Sequence, residues 1–164
     1  ETINGVKIIR CTHLVRMSDF ANIWPTVFQI LLKKNFDIIH SHVFGHVHFV
    51  LSALAAKLTG AKHIHTTHCP WTGAHRSLVG RIGVLVSYNL VSRLAIKLTD
   101  KVIAITPWEI DFIKKYGGTD KQIQVIPNGM ANIFFSRVKD NDFKKRLKIK
   151  NKMVLFVTNY LLNK

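Results

Sequence analysis

Histidine is the residue type that could do chemistry here, and it is concentrated. All nine histidines of the 164-residue chain lie between His13 and His75. Two His-x-His pairs, His40-Ser41-His42 and His63-Ile64-His65, fall on runs that read as strands. Neutral imidazole donates at one nitrogen, accepts at the other and titrates near neutral pH, so it suits hydroxyl binding or proton transfer. Residues two apart on a strand share a face, so His40 and His42 point the same way. Two readings compete for them: a functional imidazole at the strand's carboxyl end, or one histidine buried and hydrogen-bonded with the other at the rim. The two pairs on neighbouring strands could also offer four nitrogens to zinc. However, no Asp or Glu lies between Asp37 and Asp100 to complete a catalytic site, and the expectation is no metal. His46, His48 and His75 read as surface or loop residues.

Thr66-Thr67-His68-Cys69-Pro70-Trp71 places hydroxyls, an imidazole and an indole where a strand enters a loop. That set suits a sugar-like ligand, and equally an ordinary polar loop with Trp71 in the core. Cys69 beside His68 hints at a thiol nucleophile, but no third group is placed to orient a base. Pro127-Asn128-Gly129 reads as a tight turn requiring positive φ. Lys144-Lys145-Arg146 with Lys148, Lys150 and Lys152 is a basic run. It lacks the interleaved aromatic residues that stack bases.

The elements that must position these residues alternate. Strands are predicted at Val6 to Cys11, Asp37 to Ser41, His63 to Thr67, Lys101 to Ile105, Gln122 to Ile126 and Met153 to Val157. Helices are predicted at Asn22 to Lys34, Phe44 to Thr59, about Ser77 to Thr99, and from Thr106 to Gly117-Gly118, with a short basic one at Asp142 to Leu147. Val47, Val50, Leu51, Leu54 and Leu58 make a one-sided stripe, and Gly60 stops that helix. Thr106-Pro107-Trp108-Glu109 reads as a capping box. Alternation at this spacing means βαβ units and a mostly parallel sheet covered by helices on both faces. Ligands of such sheets bind beyond the carboxyl ends of the strands, which selects His42 to Gly45, Thr67-His68, Thr106-Pro107 and Asn128-Gly129. No G-x-G-x-x-G or Walker A sequence is present.

Composition bounds the rest. The chain is 48% hydrophobic and 20% charged, as a globular domain is. Twenty-four Lys and Arg against nine Asp and Glu give a formal charge of +15, which calls for an anionic partner. Two cysteines, Cys11 and Cys69, exclude a disulfide scaffold and read as reduced thiols. No uninterrupted apolar run reaches the roughly 20 residues of a membrane span. The chain opens on Glu1, with no Met and no signal-peptide pattern, which reads as an internal boundary.

Taken in order, Asp37 to His42, Thr67-His68, Thr99 to Thr106, and Val125-Ile126-Pro127-Asn128-Gly129 followed by Phe135 resemble family 4 glycosyltransferases. The resemblance runs from about Gly5 to the end of the chain. It implies an α/β fold, the Rossmann-like amino-terminal domain of a GT-B enzyme, without its first strand and Gly-rich loop. Residues 1–150 would be this acceptor-side domain and 151–164 the start of the donor-side domain. Carried over by position, His42 would be the active-site histidine near the transferred sugar and the acceptor hydroxyl. Gly45, Thr67, His68, Asn128 and Gly129 would line the acceptor side, and Lys164 would contact donor phosphates. Thr158-Asn159 stand where the family has Gly-Arg, and Ala131 stands where it has Asp. Losing the Arg removes a bidentate phosphate clamp.

The resemblance implies a retaining transfer of sugar from a nucleotide-sugar donor to a hydroxyl acceptor, lipid-linked in many relatives, with no cofactor and no metal. The 164 residues alone are expected to be inactive. The alternative is a non-catalytic relic that binds a membrane or a partner. An anionic membrane surface is the expected electrostatic partner and nucleic acid is not. The expected location is cytoplasmic, peripheral on the inner face of the cell membrane. A sheet cut short should also expose apolar edge surface and favour self-association.

Overall fold

The structure, a computed structural model, describes residues 1–12, 14–16, 22–68, 78–136 and 142–154. It divides into two compact units, Glu1–Asn128 and Gly129–Lys164.

The amino-terminal unit begins with two small antiparallel ladders. Strand β1 (Thr2–Ile3) pairs with β2 (Val6–Lys7), and β3 (Val15–Arg16) pairs with β4 (Asn22–Ile23). The strand expected over Val6 to Cys11 is thus only two residues of a hairpin. Asn4 and Gly5 take φ values of 49° and 80° there, so the chain turns back at once and pairs locally. Helix α1 (Pro25–Lys33) opens on Pro25, whose missing N–H is no loss in a first turn.

Four parallel strands follow: β5 (Ile38–His42), β6 (Lys62–Thr66), β7 (Lys101–Ala104) and β8 (Ile123–Val125), in the spatial order β5-β6-β7-β8. The crossovers are α2 (Val47–Thr59), a long helix between β6 and β7, and α5 (Glu109–Lys115). The long helix runs as α3 (Leu78–Val86), a π-helical stretch (Ser87–Ser92) and α4 (Arg93–Leu98). Gly60 ends α2 at φ 79° and Gly117 follows α5 at φ 105°, both in the left-handed region that glycine occupies without penalty.

Consecutive parallel strands joined by right-handed crossovers place every crossover helix on one face. The core confirms this, for Phe49 and Ala53 of α2, Tyr88, Ala95 and Ile96 of the long helix, Val102 and Ala104 of β7, and Ile113 of α5 form one buried cluster. The expected parallel sheet flanked by helices is present, with its crossover helices gathered on one face among the described residues. On the other face Ile38, His40, His42, Lys101 and Gln124 are exposed, and Ile64 and Ile103 are half-buried.

Three further differences are physical. The capping box does not form: α5 starts at Glu109, Trp108 makes no side-chain cap, and the Glu109 carboxylate instead accepts the Ile105 N–H at 2.7 Å. Asn128 and Gly129 do not take positive φ. Ile126 N–H extends the ladder by donating to the Ala104 carbonyl at 2.9 Å, and the following residues run on without regular structure. Finally, the helix Leu78–Leu98 is by length and composition able to cross a membrane, with a mean hydropathy of 1.3 over 18 residues. Counting uninterrupted runs missed it because Arg81 and Arg93 punctuate it.

Gly45 carries the first test of this packing. Its φ is 85°, and a Cβ there would overlap the Tyr88 ring. Gly45→Ala is expected to cost about 2 kcal/mol or more from strain and overpacking together. Urea midpoints check it, and a variant as stable as the parent would show that the Tyr88 contact is not held in solution.

The carboxyl-terminal unit contains a 3-10 turn (Asn132–Phe135) and helix α6 (Asp142–Arg146). Met153 and Val154 are not in a strand. The remainder of that expected strand, Thr158, Asn159 and Lys164 lie outside the described residues, as do His13, Cys69, Trp71 and His75. Cys11 is a free thiol.

Candidate active site at the carboxyl edge of the sheet

Parallel register brings the strand ends together. His42 lies opposite Thr66, and Thr66 opposite Ile103. The ladder continues past the strands: Val43 N–H donates to the Thr66 carbonyl at 3.0 Å, Phe44 N–H to that of Thr67 at 2.9 Å, and Thr67 N–H to that of Ile103 at 3.1 Å. Two non-glycine residues at this edge take left-handed φ, Val43 at 72° and His68 at 41°. For β-branched Val43 this costs on the order of 1–2 kcal/mol, and such strain collects at functional sites.

The bends turn two imidazoles towards each other. His42 Nδ1 and His68 Nε2 are 3.0 Å apart, one donating and the other accepting. The rings stack at 5.2 Å, and the His40 ring lies 4.3 Å from that of His42. His40 Nε2 meets the Thr66 hydroxyl at 2.8 Å. His48 Nε2–H donates to the His42 carbonyl at 2.6 Å, so its tautomer is set by that acceptor. His48, read from sequence as a bystander, pins the backbone of His42. Partial burial, followed by the neighbouring imidazoles of His40, His68 and His48, holds the His42 pKa below its ordinary value. Burial and then His68 do the same to His40. At neutral pH His42 is therefore an uncharged ring. Its Nδ1 is engaged by His68, and Nε2 has no hydrogen-bond partner among the described residues.

The second His-x-His pair faces the other way. Ser41, not His40 or His42, lies opposite His65, so His63 and His65 point under the helices while His40 and His42 point to the open face. One residue of register separates the faces, and the four nitrogens do not converge. Among the described residues no group of three or more His, Cys, Asp or Glu is placed to hold a metal ion.

His63 and His65 instead form a buried proton-ordered chain. The Thr99 hydroxyl donates to the Ala95 carbonyl at 2.7 Å, so it accepts from His63 Nδ1–H at 2.9 Å. His63 Nε2 is then an acceptor for the Ser41 hydroxyl at 3.0 Å, which leaves Ser41 to accept from His65 Nδ1–H at 2.8 Å. Both rings are neutral. Burial pushes His63 down to about 4, against the pull of Asp100. Burial and the surrounding imidazoles push His65 well below its ordinary value. Phe49 stacks on His65 with ring centroids 3.6 Å apart.

The remaining expected site residues are placed as follows. Gly45 is at the strained corner after β5, its carbonyl accepting from the Ser87 hydroxyl. Thr67 is wholly buried, its hydroxyl given to Glu109 Oε2 at 2.8 Å, so its side chain braces the edge from inside and does not line it. Asn128 closes the amino-terminal unit and is exposed, and Gly129 opens the other. Sequence reading missed Glu109 as a brace: its single Oε2 accepts both the Ile105 N–H and the Thr67 O–H. The signal was a buried-strand end followed a few residues on by an acid, read there as a cap.

A parallel sheet with its helices packed together and its polar groups gathered at the carboxyl edge is a Rossmann-like domain. The family model of Glycosyltransferase Family 4 matches residues 3–131, and the chain belongs to that family. Among solved structures, Anabaena HepE in complex with UDP aligns with TM-score 0.55 and 19% identity over 77% of this chain and 32% of its own. HepE with UDP-glucose and HepE with UDP and glucose align with TM-score 0.56 and 19% identity over 78% of this chain. They are covered to 34% and 33% of their own length, respectively. This likeness is to the GT-B fold, and the chain spans about a third of the length of those solved chains. No curated protein matches.

Proposed function

We propose that this chain forms the acceptor side of a retaining glycosyltransferase, with a nucleotide-sugar as donor and a hydroxyl as acceptor. The observation that carries the reading is the His42–His68 pair on a strained corner at the carboxyl edge, in a chain of this family. An uncharged His42 with Nε2 unengaged accepts a hydrogen bond from a hydroxyl of the acceptor or of the transferred sugar. His68 orients that ring and sets which nitrogen carries the proton. In the transfer, the acceptor oxygen bonds to the anomeric carbon, the bond from that carbon to the nucleotide diphosphate breaks with its electron pair going to the diphosphate, and the acceptor proton passes to an oxygen of the leaving diphosphate. Cations on the donor side, Lys164 among them, offset charge growing on the diphosphate. A UDP-sugar is the donor to try first, since the HepE structures hold UDP, UDP-glucose, or UDP and glucose.

The test is His42→Ala in the polypeptide carrying both sides of the cleft, assayed with UDP-glucose and sugar acceptors. We expect kcat to fall about 100-fold or more with donor KM nearly unchanged, and no turnover by the 164 residues alone. An unchanged kcat would remove His42 from the site. The second reading, a non-catalytic relic, draws on Asn159 and Ala131, which replace the family's phosphate-clamp Arg and its Asp. Absence of turnover with UDP-, GDP- and ADP-sugars in that longer polypeptide would favour it.

A further inference from the structure

The peptide that joins His42 to Val43 is gripped on both sides. Val43 N–H points into the sheet and donates to the Thr66 carbonyl at 3.0 Å. Across a trans peptide the carbonyl points the opposite way, so the His42 oxygen is turned away from β6. Among the described residues β5 is an edge strand, and no strand lies on that side to meet the oxygen. His48, on the first turn of α2, comes back to meet it, with Nε2–H donating at 2.6 Å.

The grip acts next to a strained residue. Phe44 N–H also points to β6 and donates to the Thr67 carbonyl at 2.9 Å. Successive N–H groups of a regular strand point to opposite sides, so two in a row need a bend, and Val43 supplies it at φ 72°. Left-handed backbone at a β-branched residue persists only where its surroundings over-determine it. The same peptide fixes the direction in which His42 leaves the backbone, and from there its Nδ1 reaches His68 Nε2 at 3.0 Å.

His48 is held in turn. Trp24, immediately before α1, lies against it with ring centroids 5.7 Å apart. Donation from Nε2 leaves a lone pair on Nδ1, which is buried and meets no partner among the described residues. A second proton would find no acceptor there, and burial pushes the His48 pKa down. The ring is therefore neutral in the tautomer that the His42 carbonyl needs.

We propose that His48 is a positioning residue for the His42 imidazole: its Nε2–H holds the His42–Val43 peptide in the orientation that turns His42 onto His68, while Trp24 shields that bond from water. What the oriented ring is used for rests on the glycosyl-transfer reading, but how it is held does not.

Imidazole nitrogen spectra of the 164-residue chain at pH 7.5 test it. In the parent, His48 is expected as its Nε2–H tautomer and His42 as its Nδ1–H tautomer. His48→Phe keeps a ring against Trp24 and removes the donor. It should lower the Nδ1–H population of His42 about twofold or more, because a ring released from His68 returns to the mixture found in water. His48→Gln, whose amide nitrogen can take the place of Nε2, should restore the parent spectrum. A His42 signal unchanged in His48→Phe overturns the proposal. So does a loss that Gln fails to rescue, because packing of the ring and not its hydrogen would then matter. Should His48→Phe fold poorly by circular dichroism, the parent alone decides, since a His48 found as the Nδ1–H tautomer cannot donate to the His42 carbonyl. In the polypeptide carrying both sides of the cleft, His48→Phe is expected to lower kcat about tenfold with donor KM nearly unchanged. Unchanged turnover in a variant whose His42 ring has shifted would count against the role of His42 in transfer, and not against the hold of His48 upon it.

Discussion

Lowering the pH from 6.5 to 4 is expected to remove about 3 kcal/mol from the stability of the amino-terminal unit through His63 alone. In the folded unit His63 is neutral and titrates only at about 4, while in the unfolded chain it titrates near 6.5. Between those values the unfolded chain binds a proton that the folded one does not, so stability falls as pH falls. Above 6.5 the contribution is fully present. His65 and His48, both lowered chiefly by burial, act in the same direction. The geometry explains why the folded state refuses the proton. A protonated His63 would donate from both nitrogens, and Ser41, already accepting from His65, would then have no acceptor for its own hydrogen.

Urea midpoints measured at intervals between pH 7.5 and 4 check this. His63→Gln is expected to flatten the slope by about one proton, since its amide can still meet Ser41 and Thr99 without titrating. Midpoints that stay level from pH 7 to 4.5 would mean that the imidazoles are solvated, not buried as described. The window stops at 4 because Asp100 is also shifted. Its carboxylate accepts the His63 N–H at 2.9 Å and pairs with Lys62 at 3.1 Å, which holds its pKa below the ordinary value. Its loss therefore belongs to still lower pH.

Glu109→Ala is expected to cost about 3 kcal/mol. Hydrogen bonds to a carboxylate contribute roughly 1.5–3 kcal/mol, and donors left buried without a partner cost more than the lost bond. Glu109 is 3% exposed and satisfies two such donors, the Ile105 N–H at the end of β7 and the Thr67 O–H at the end of β6. The Thr67 hydroxyl also lies 3.2 Å from the Ile103 carbonyl, a longer contact that can only partly replace the lost acceptor. Because Thr67 precedes His68, the effect should reach the imidazole pair. The His42 and His68 side-chain nitrogen resonances are expected to shift in Glu109→Ala and to stay close to the parent's in Glu109→Gln, whose amide oxygen still accepts. A double cycle with Thr67→Val should show coupling of about 1 kcal/mol or more. Strict additivity would make Glu109 a local helix residue with no hold on the edge.

Much of the fold was legible because its signals are local. Pro25 opens α1 and Gly60 closes α2, but the Val47 to Leu58 stripe is not the face that α2 buries: the small and aromatic side chains of Phe49, Ser52, Ala53, Ala55 and Ala56 pack instead, and Leu54 and Leu58 are exposed. The four parallel strands fall within a residue or two of where apolar β-branched runs put them. Of the strand expected over Val6 to Cys11 only Val6–Lys7 forms, paired with Thr2–Ile3, because alternation does not say with what a strand pairs. The candidate site was half legible. His42 and His68 stood out as imidazoles just after strands, and their meeting at 3.0 Å follows from parallel register. Glu109 was assigned to its own helix start because its real partner, Thr67, lies 42 residues away.

The sequence by itself determined the succession of strands and helices, the clustering of imidazoles and the basic charge, because propensity, turn chemistry and composition act within a few residues. Only the tertiary structure decided which histidines face the core and which the open edge, since a one-residue difference in register reverses the face of every side chain. It also decided that the second half of a long apolar helix packs while its first half, α3, buries no residue, because that depends on the length of the strands it lies against.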